Sequence, residues 1–151
     1  MKIIILVIIA VMVFSGLGLW LTAYGNSTLE EVNMNYGVSM TTDKMSYSMG
    51  EPITMTLKIF NYTEEDIVFQ FNSAQRYDFI IKDEEGNEIW RWSKDMMFAM
   101  MLGEEVLGPT NPEVTYIGEY TNNLSPGYYK INGIFVAQEK PMSGSIVVEV
   151  K

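Results

Sequence analysis

Gln75-Arg-Tyr-Asp-Phe-Ile-Ile-Lys-Asp-Glu-Glu-Gly-Asn-Glu-Ile-Trp-Arg-Trp-Ser-Lys-Asp-Met-Met-Phe98 is the stretch whose reading decides the fold. Tyr77, Phe79 and Ile81 alternate with Asp78, Ile80 and Lys82. This period of two marks a strand with one face on a core. Asp83 to Asn87 is an acidic turn, with Gly86 expected at positive φ. Glu88 to Trp92 returns as the partner strand. Alternation puts Glu88, Trp90 and Trp92 on one side and Ile89 and Arg91 on the other. A core needs the tryptophans, so Trp90 and Trp92 are expected inward and Arg91 outward. Beyond Ser93 the alternation stops. Met96, Met97, Phe98, Met100, Met101 and Leu102 form an apolar, sulfur-rich loop whose spacing permits one or two helical turns. Two roles compete for it. Phe98 and Leu102 suit a cap over the open end of a core. Met96, Met97, Met100 and Met101 suit an exposed protein contact, because methionine adapts to a partner's surface.

The same period runs outward in both directions. Tyr36, Val38 and Met40 alternate with Gly37, Ser39 and Thr41. Ile53, Met55, Leu57 and Ile59 alternate with Thr54, Thr56, Lys58 and Phe60. Ile67–Phe71, Val114–Tyr120, Tyr128–Val136 and Ser145–Val150 complete the set. Turn signals separate them, among them Gly50, which can take positive φ, and Leu124-Ser-Pro-Gly127. About eight short strands spaced by such turns predict an all-β fold, an antiparallel β-sandwich. Residues 36–151 are expected to form this single domain. Residues 26–35 read as a polar linker.

The 151-residue chain is 48% hydrophobic, 19% charged and 13% aromatic, which suits a folded core rather than disorder. Its net charge of −9, with no basic stripe, argues against nucleic acid as a partner. Cysteine and histidine are absent. That removes disulfides, Cys/His zinc sites, thiol nucleophiles and histidine-based triads.

Residues 1–25 read as a hydrophobic helix. Lys2 precedes an apolar run from Ile3 to Phe14, continued by Leu19-Trp-Leu21, and the next charge is Glu30. The run is long enough to cross a bilayer, with Trp20 and Tyr24 at interfacial positions. It also has the basic start, apolar middle and small-residue exit (Ala23, Gly25) of a signal peptide. Both readings stand. Either puts residues 26–151 outside the cytoplasm, and residues 3–24 meet the membrane if uncleaved. Asn26, Asn61 and Asn123 each open an N-glycosylation sequon.

Constellations for chemistry are weak. The turn Asp83–Glu88 lacks the EF-hand spacing and reads as a solvated hairpin turn. Glu64-Glu65-Asp66 and Glu104-Glu105 have no opposing partner for acid–base work. Ser93-Lys94 lacks the Ser-x-x-Lys spacing of acyl enzymes. No catalytic residue, cofactor or metal site is expected, and the domain is expected to be a monomer that is not an enzyme.

Tyr77-Asp78-Phe79, Asp83, Gly86, Ile89-Trp90-Arg91-Trp92-Ser93 and Phe98 together resemble the signature of the BsuPI-type intracellular proteinase inhibitor family. Looser similarity extends over Tyr36 to Val150. The resemblance implies an immunoglobulin-like β-sandwich and inhibition of a subtilisin-type serine proteinase. The family's namesake activity is intracellular, whereas this chain begins with an export or anchoring segment. A non-enzymatic cell-surface module, for binding or structure, is the alternative.

Overall fold

A computed structural model describes residues 35–121 and 123–151. The expected N-terminal helix, most of the linker and Asn26 lie outside the described residues. Among the described residues there is no helix at all, so none that is long and apolar enough to cross a membrane.

Among the described residues, ten strands form three sheets. The first joins β1 (Tyr36–Thr42), β3 (Pro52–Asn61) and β8 (Glu113–Thr121), with β3 in the middle. The second has five strands: β2 (Ser46–Tyr47), β10 (Met142–Val150), β9 (Gly127–Phe135), β5 (Tyr77–Lys82) and β6 (Glu88–Arg91), in that spatial order. The third is a two-stranded ribbon of β4 (Ile67–Phe71) and β7 (Gly103–Leu107). Every pairing is antiparallel except that of the short β2 with β10, which is parallel.

β3 shows how sequence makes the core. Ile53, Met55, Leu57 and Ile59 are fully buried, and the residues between them are half-buried on the outer face. From the five-stranded sheet, Phe79, Ile81, Ile131, Phe135, Val148 and Val150 meet them. The two sheets approach closely at two glycines. A Cβ on Gly133 would stand 2.7 Å from the Met40 sulfur and 2.9 Å from Leu57. One on Gly118 would stand 2.7 Å from the Phe79 ring. Only glycine fits such contacts without forcing the layers apart.

The β4–β7 ribbon closes one end. Phe69, Phe71 and Leu107 point inward and are buried. Phe69 and Phe71 meet Phe135 edge-on at 5.1 and 5.2 Å, the favoured geometry for aromatic quadrupoles. Gly50 and Gly86 take φ of 83° and 88°, as their turns require.

The structure adds to the sequence reading in three places. β2 and β7 are strands that the periodicity did not reveal. No helical turns form between Ser93 and Pro112. On β5, Asp78 and Ile80 are buried along with Phe79 and Ile81, so this strand is covered on both faces.

Candidate functional site: a loop held at both ends

β5 and β6 bring the signature residues together. Trp90 lies opposite Ile81, an inward residue, and Trp90 and Trp92 pack half-buried against the core. Trp92 stacks on Tyr77 with ring centroids 4.4 Å apart, and Tyr77 stacks on Tyr116 at 4.6 Å. Phe98 reaches back to Trp92 at 6.0 Å. Phe98 is half-buried and forms the end of an aromatic ladder.

On the other face of β5, Asp78 is only 3% exposed, and its carboxylate is fully engaged. Oδ1 accepts from the Ser93 amide at 3.1 Å and the Phe79 amide at 2.9 Å. Oδ2 accepts from the Ser93 hydroxyl at 2.6 Å and Arg91 Nη1 at 2.9 Å. Arg91 also forks onto Glu88 at 3.1 and 2.7 Å. The Arg91 guanidinium, as a hydrogen-bond donor, holds the Glu88 carboxyl below its ordinary range. Glu88 and Asp78 in turn raise the pKa of Arg91. Buried carboxylates need this many donors, and these charge-assisted bonds are short and directional. Their effect is to fix Arg91, Trp92 and Ser93, where β6 ends and the loop begins.

Two turns lead out of this node: the Lys94 amide donates to the Arg91 carbonyl, and the Met96 amide to that of Ser93. Met96 to Leu102 then has no regular structure. The Ala99 carbonyl accepts from the amides of Ala74 (2.9 Å) and Met101 (3.0 Å), which pins the middle of the loop to the body. Arg76 holds the far end. Its guanidinium lies against Gly103, where a Cβ would have to displace it, and sits 4.3 Å over the Phe71 ring. It also donates to the Ser73 carbonyl at 2.8 Å. Glu105, facing inward from β7, lies 3.8 Å from Arg76 and accepts from the Tyr116 hydroxyl at 2.8 Å.

Between these anchors the apolar side chains face solvent. Met96, Met97, Met100, Met101 and Leu102 are 43%, 100%, 87%, 61% and 80% exposed. Leu102 is thus no cap, a correction to the sequence reading: it follows the pinned Ala99 turn and lies in solvent. A contiguous exposed apolar stretch of this kind commonly marks a contact surface.

The remaining candidates separate. Gly86 only turns the β5–β6 hairpin. Among the described residues no group of three or more acidic side chains is placed to hold a metal. Asn61 is 5% exposed, and its amide nitrogen donates to the carbonyls of Glu65 and Leu107 at 2.7 and 2.6 Å. In the folded domain that nitrogen is occupied in tying β3 to the ribbon. Asn123 is exposed.

Two anchors escaped the sequence. Arg76 and Gly103 are far apart in the chain, and only the β4–β7 pairing brings them together. β7 itself was hidden because inward-facing Glu105 breaks the apolar alternation.

Among the described residues the site is thus an apolar loop anchored at both ends on packed antiparallel sheets. Residues 40–140 match the BsuPI family, described as intracellular proteinase inhibitors. The chain belongs to that family. No curated protein matches it. Among solved structures, it is similar to Spo0M, a sporulation control protein from Bacillus subtilis, with 13% identity and a TM-score of 0.50. That match covers 78% of this chain and 49% of Spo0M, so the chain spans about half of that protein's length. The CARDB domain of a Pyrococcus furiosus protein, solved with di-metal ions, gives 14% identity and a TM-score of 0.45, covering 77% and 87% of the two chains.

Proposed function

We propose that this domain inhibits a subtilisin-type serine proteinase by presenting Met96–Leu102 to the enzyme's cleft, on an immunoglobulin-like sandwich. The observation that carries the reading is the loop: five exposed apolar side chains between two fixed ends. Proteinase clefts accept an irregular, extended segment and fill their pockets with its side chains. A segment ordered before binding loses little conformational entropy on binding, so more of the contact energy is retained as affinity. Met97 and Met100 are the most exposed of the loop and are the side chains assigned to the pockets. Each buried methionine contributes about 1.5–3 kcal/mol. The anchors serve a second end. After an initial cut, the new chain ends would stay held by Asp78 and Arg76, which favours resealing over release.

The apolar segment that starts at Ile3 supports a location outside the cytoplasm, whether cleaved or retained, although the family is described as intracellular. In this reading the target enzyme acts there too.

Titrating a subtilisin with the full chain in mild detergent tests the proposal. Near-stoichiometric loss of activity is expected at micromolar concentrations, and the Met97→Glu/Met100→Glu double variant should weaken inhibition at least a hundredfold. Full proteinase activity in excess wild-type chain would sink it.

A further inference from the structure

The loop's contact surface is almost wholly thioether. Met96, Met97, Met100 and Met101 are exposed, whereas Met40 and Met55 are sealed in the core. Thioether sulfur is an apolar group that two-electron oxidants make polar. The anchors contain no methionine: Asp78, Arg91 and Ser93 hold one end, Arg76 and Gly103 the other. Chemistry at the tip therefore changes what the loop presents without removing what shapes it.

We propose that this loop is an oxidation site that switches inhibition off. The inference rests on the inhibitor reading above. The oxidant class is a peroxide or hypochlorous acid, with Met97 and Met100, the most exposed, reacting first. In the peroxide case the sulfur lone pair attacks one peroxide oxygen, the O–O bond breaks and an S–O bond forms. The sulfur loses two electrons in becoming a sulfoxide. The departing hydroxide takes the remaining proton and leaves as water. A sulfoxide oxygen then has to shed its hydration to enter an apolar pocket, with no donor there to replace it. Methionine sulfoxide reductases return the thioether, which makes the change reversible.

The molecule carries its own control. Met45 and Met49 are also exposed, at 59% and 62%. They flank β2, at one edge of the five-stranded sheet, while the loop leaves β6 at the opposite edge. Their oxidation is expected to leave inhibition untouched.

The test uses the full chain, partly oxidised with hydrogen peroxide and passed over immobilised subtilisin. Peptide mass mapping then compares sulfoxide at each methionine in the bound and unbound fractions. Sulfoxide at Met97 and Met100 should be enriched at least tenfold in the unbound fraction. Sulfoxide at Met45 and Met49 should divide evenly. Reductase treatment should return the unbound fraction to binding, with an unchanged melting temperature throughout. Even partition of the Met97 and Met100 sulfoxides overturns the inference while leaving the inhibitor reading intact. So does a fall in melting temperature that tracks the loss, because it assigns the loss to unfolding. Failure of the untreated chain to bind removes the inhibitor reading and this inference with it.

Discussion

Ser93 binds Asp78 twice, through its amide at 3.1 Å and its hydroxyl at 2.6 Å, across fifteen positions of sequence. Arg91 completes the site on the same carboxylate at 2.9 Å. Three residues of the family signature are thus one hydrogen-bonded unit, and it stands at the root of the methionine loop. Replacing Asp78 by Ala strands the Ser93 and Arg91 donors. Arg91 retains Glu88 and partial access to water, which limits the loss. The expected cost is roughly 2–4 kcal/mol of stability in urea unfolding. Loop amides from Lys94 to Leu102 should also exchange hydrogen faster. Unchanged exchange there would deny the node its role in holding the loop.

Gly103→Ala tests the other anchor. The new methyl must displace the Arg76 guanidinium, which then leaves Phe71 and the Ser73 carbonyl. Inhibition should weaken at least tenfold, with a stability loss of only about 1 kcal/mol. A parallel inhibition assay and thermal melt separate the two effects.

Asn61→Ala leaves the buried carbonyl of Leu107 without this donor, while the carbonyl of exposed Glu65 keeps the Thr63 hydroxyl at 3.1 Å. A loss of about 1–3 kcal/mol is expected, the cost of one unmet buried acceptor. Intact-protein mass of the native chain should show no glycan at Asn61.

Gly133→Val places atoms where the Met40 sulfur and Leu57 already stand. Both are interior, so the sheets themselves must part. A destabilisation of about 1–3 kcal/mol or more is expected, against a much smaller effect for Gly86→Asn, whose turn is open to solvent and whose φ asparagine tolerates.

Alkaline pH should weaken the fold through its tyrosines. Burial, then the hydrogen bond to Asp43, pushes the Tyr47 hydroxyl up to about 12 from its ordinary 10.0. Burial and the Glu105 carboxylate raise Tyr116 also, and burial raises Tyr77. The unfolded chain therefore gives up these protons first as pH rises. Their contribution is complete below about pH 10 and is lost progressively as pH climbs toward the folded value. The melting temperature should fall through that window. A Tyr47→Phe variant, already lacking the hydroxyl, should show a shallower decline.

Periodicity alone determined most of the sheet structure. Ile53-x-Met55-x-Leu57-x-Ile59 could only be a strand with one apolar face, and Trp90 on β6 and Trp92 just past its end had to share the inward side. These are local consequences of a two-residue repeat, so they are legible in any window that contains them. The signature residues were legible as a pattern, and the exposed methionines as a possibility beside core capping. Tertiary structure decided the rest. Leu102 faces solvent while Phe98 packs on Trp92 because Ala74, distant in sequence, grips the Ala99 carbonyl. β7 exists because β4 pairs with it, despite the carboxylate of Glu105 on its inner face. Asp78 looks like an outward strand residue in the sequence. It is buried because Arg91 and Ser93 arrive over it with three hydrogen bonds, beside the one from the adjacent Phe79 amide. Alternation says which way a side chain points; what waits there to satisfy its charge is set by strands that meet only after the chain has folded.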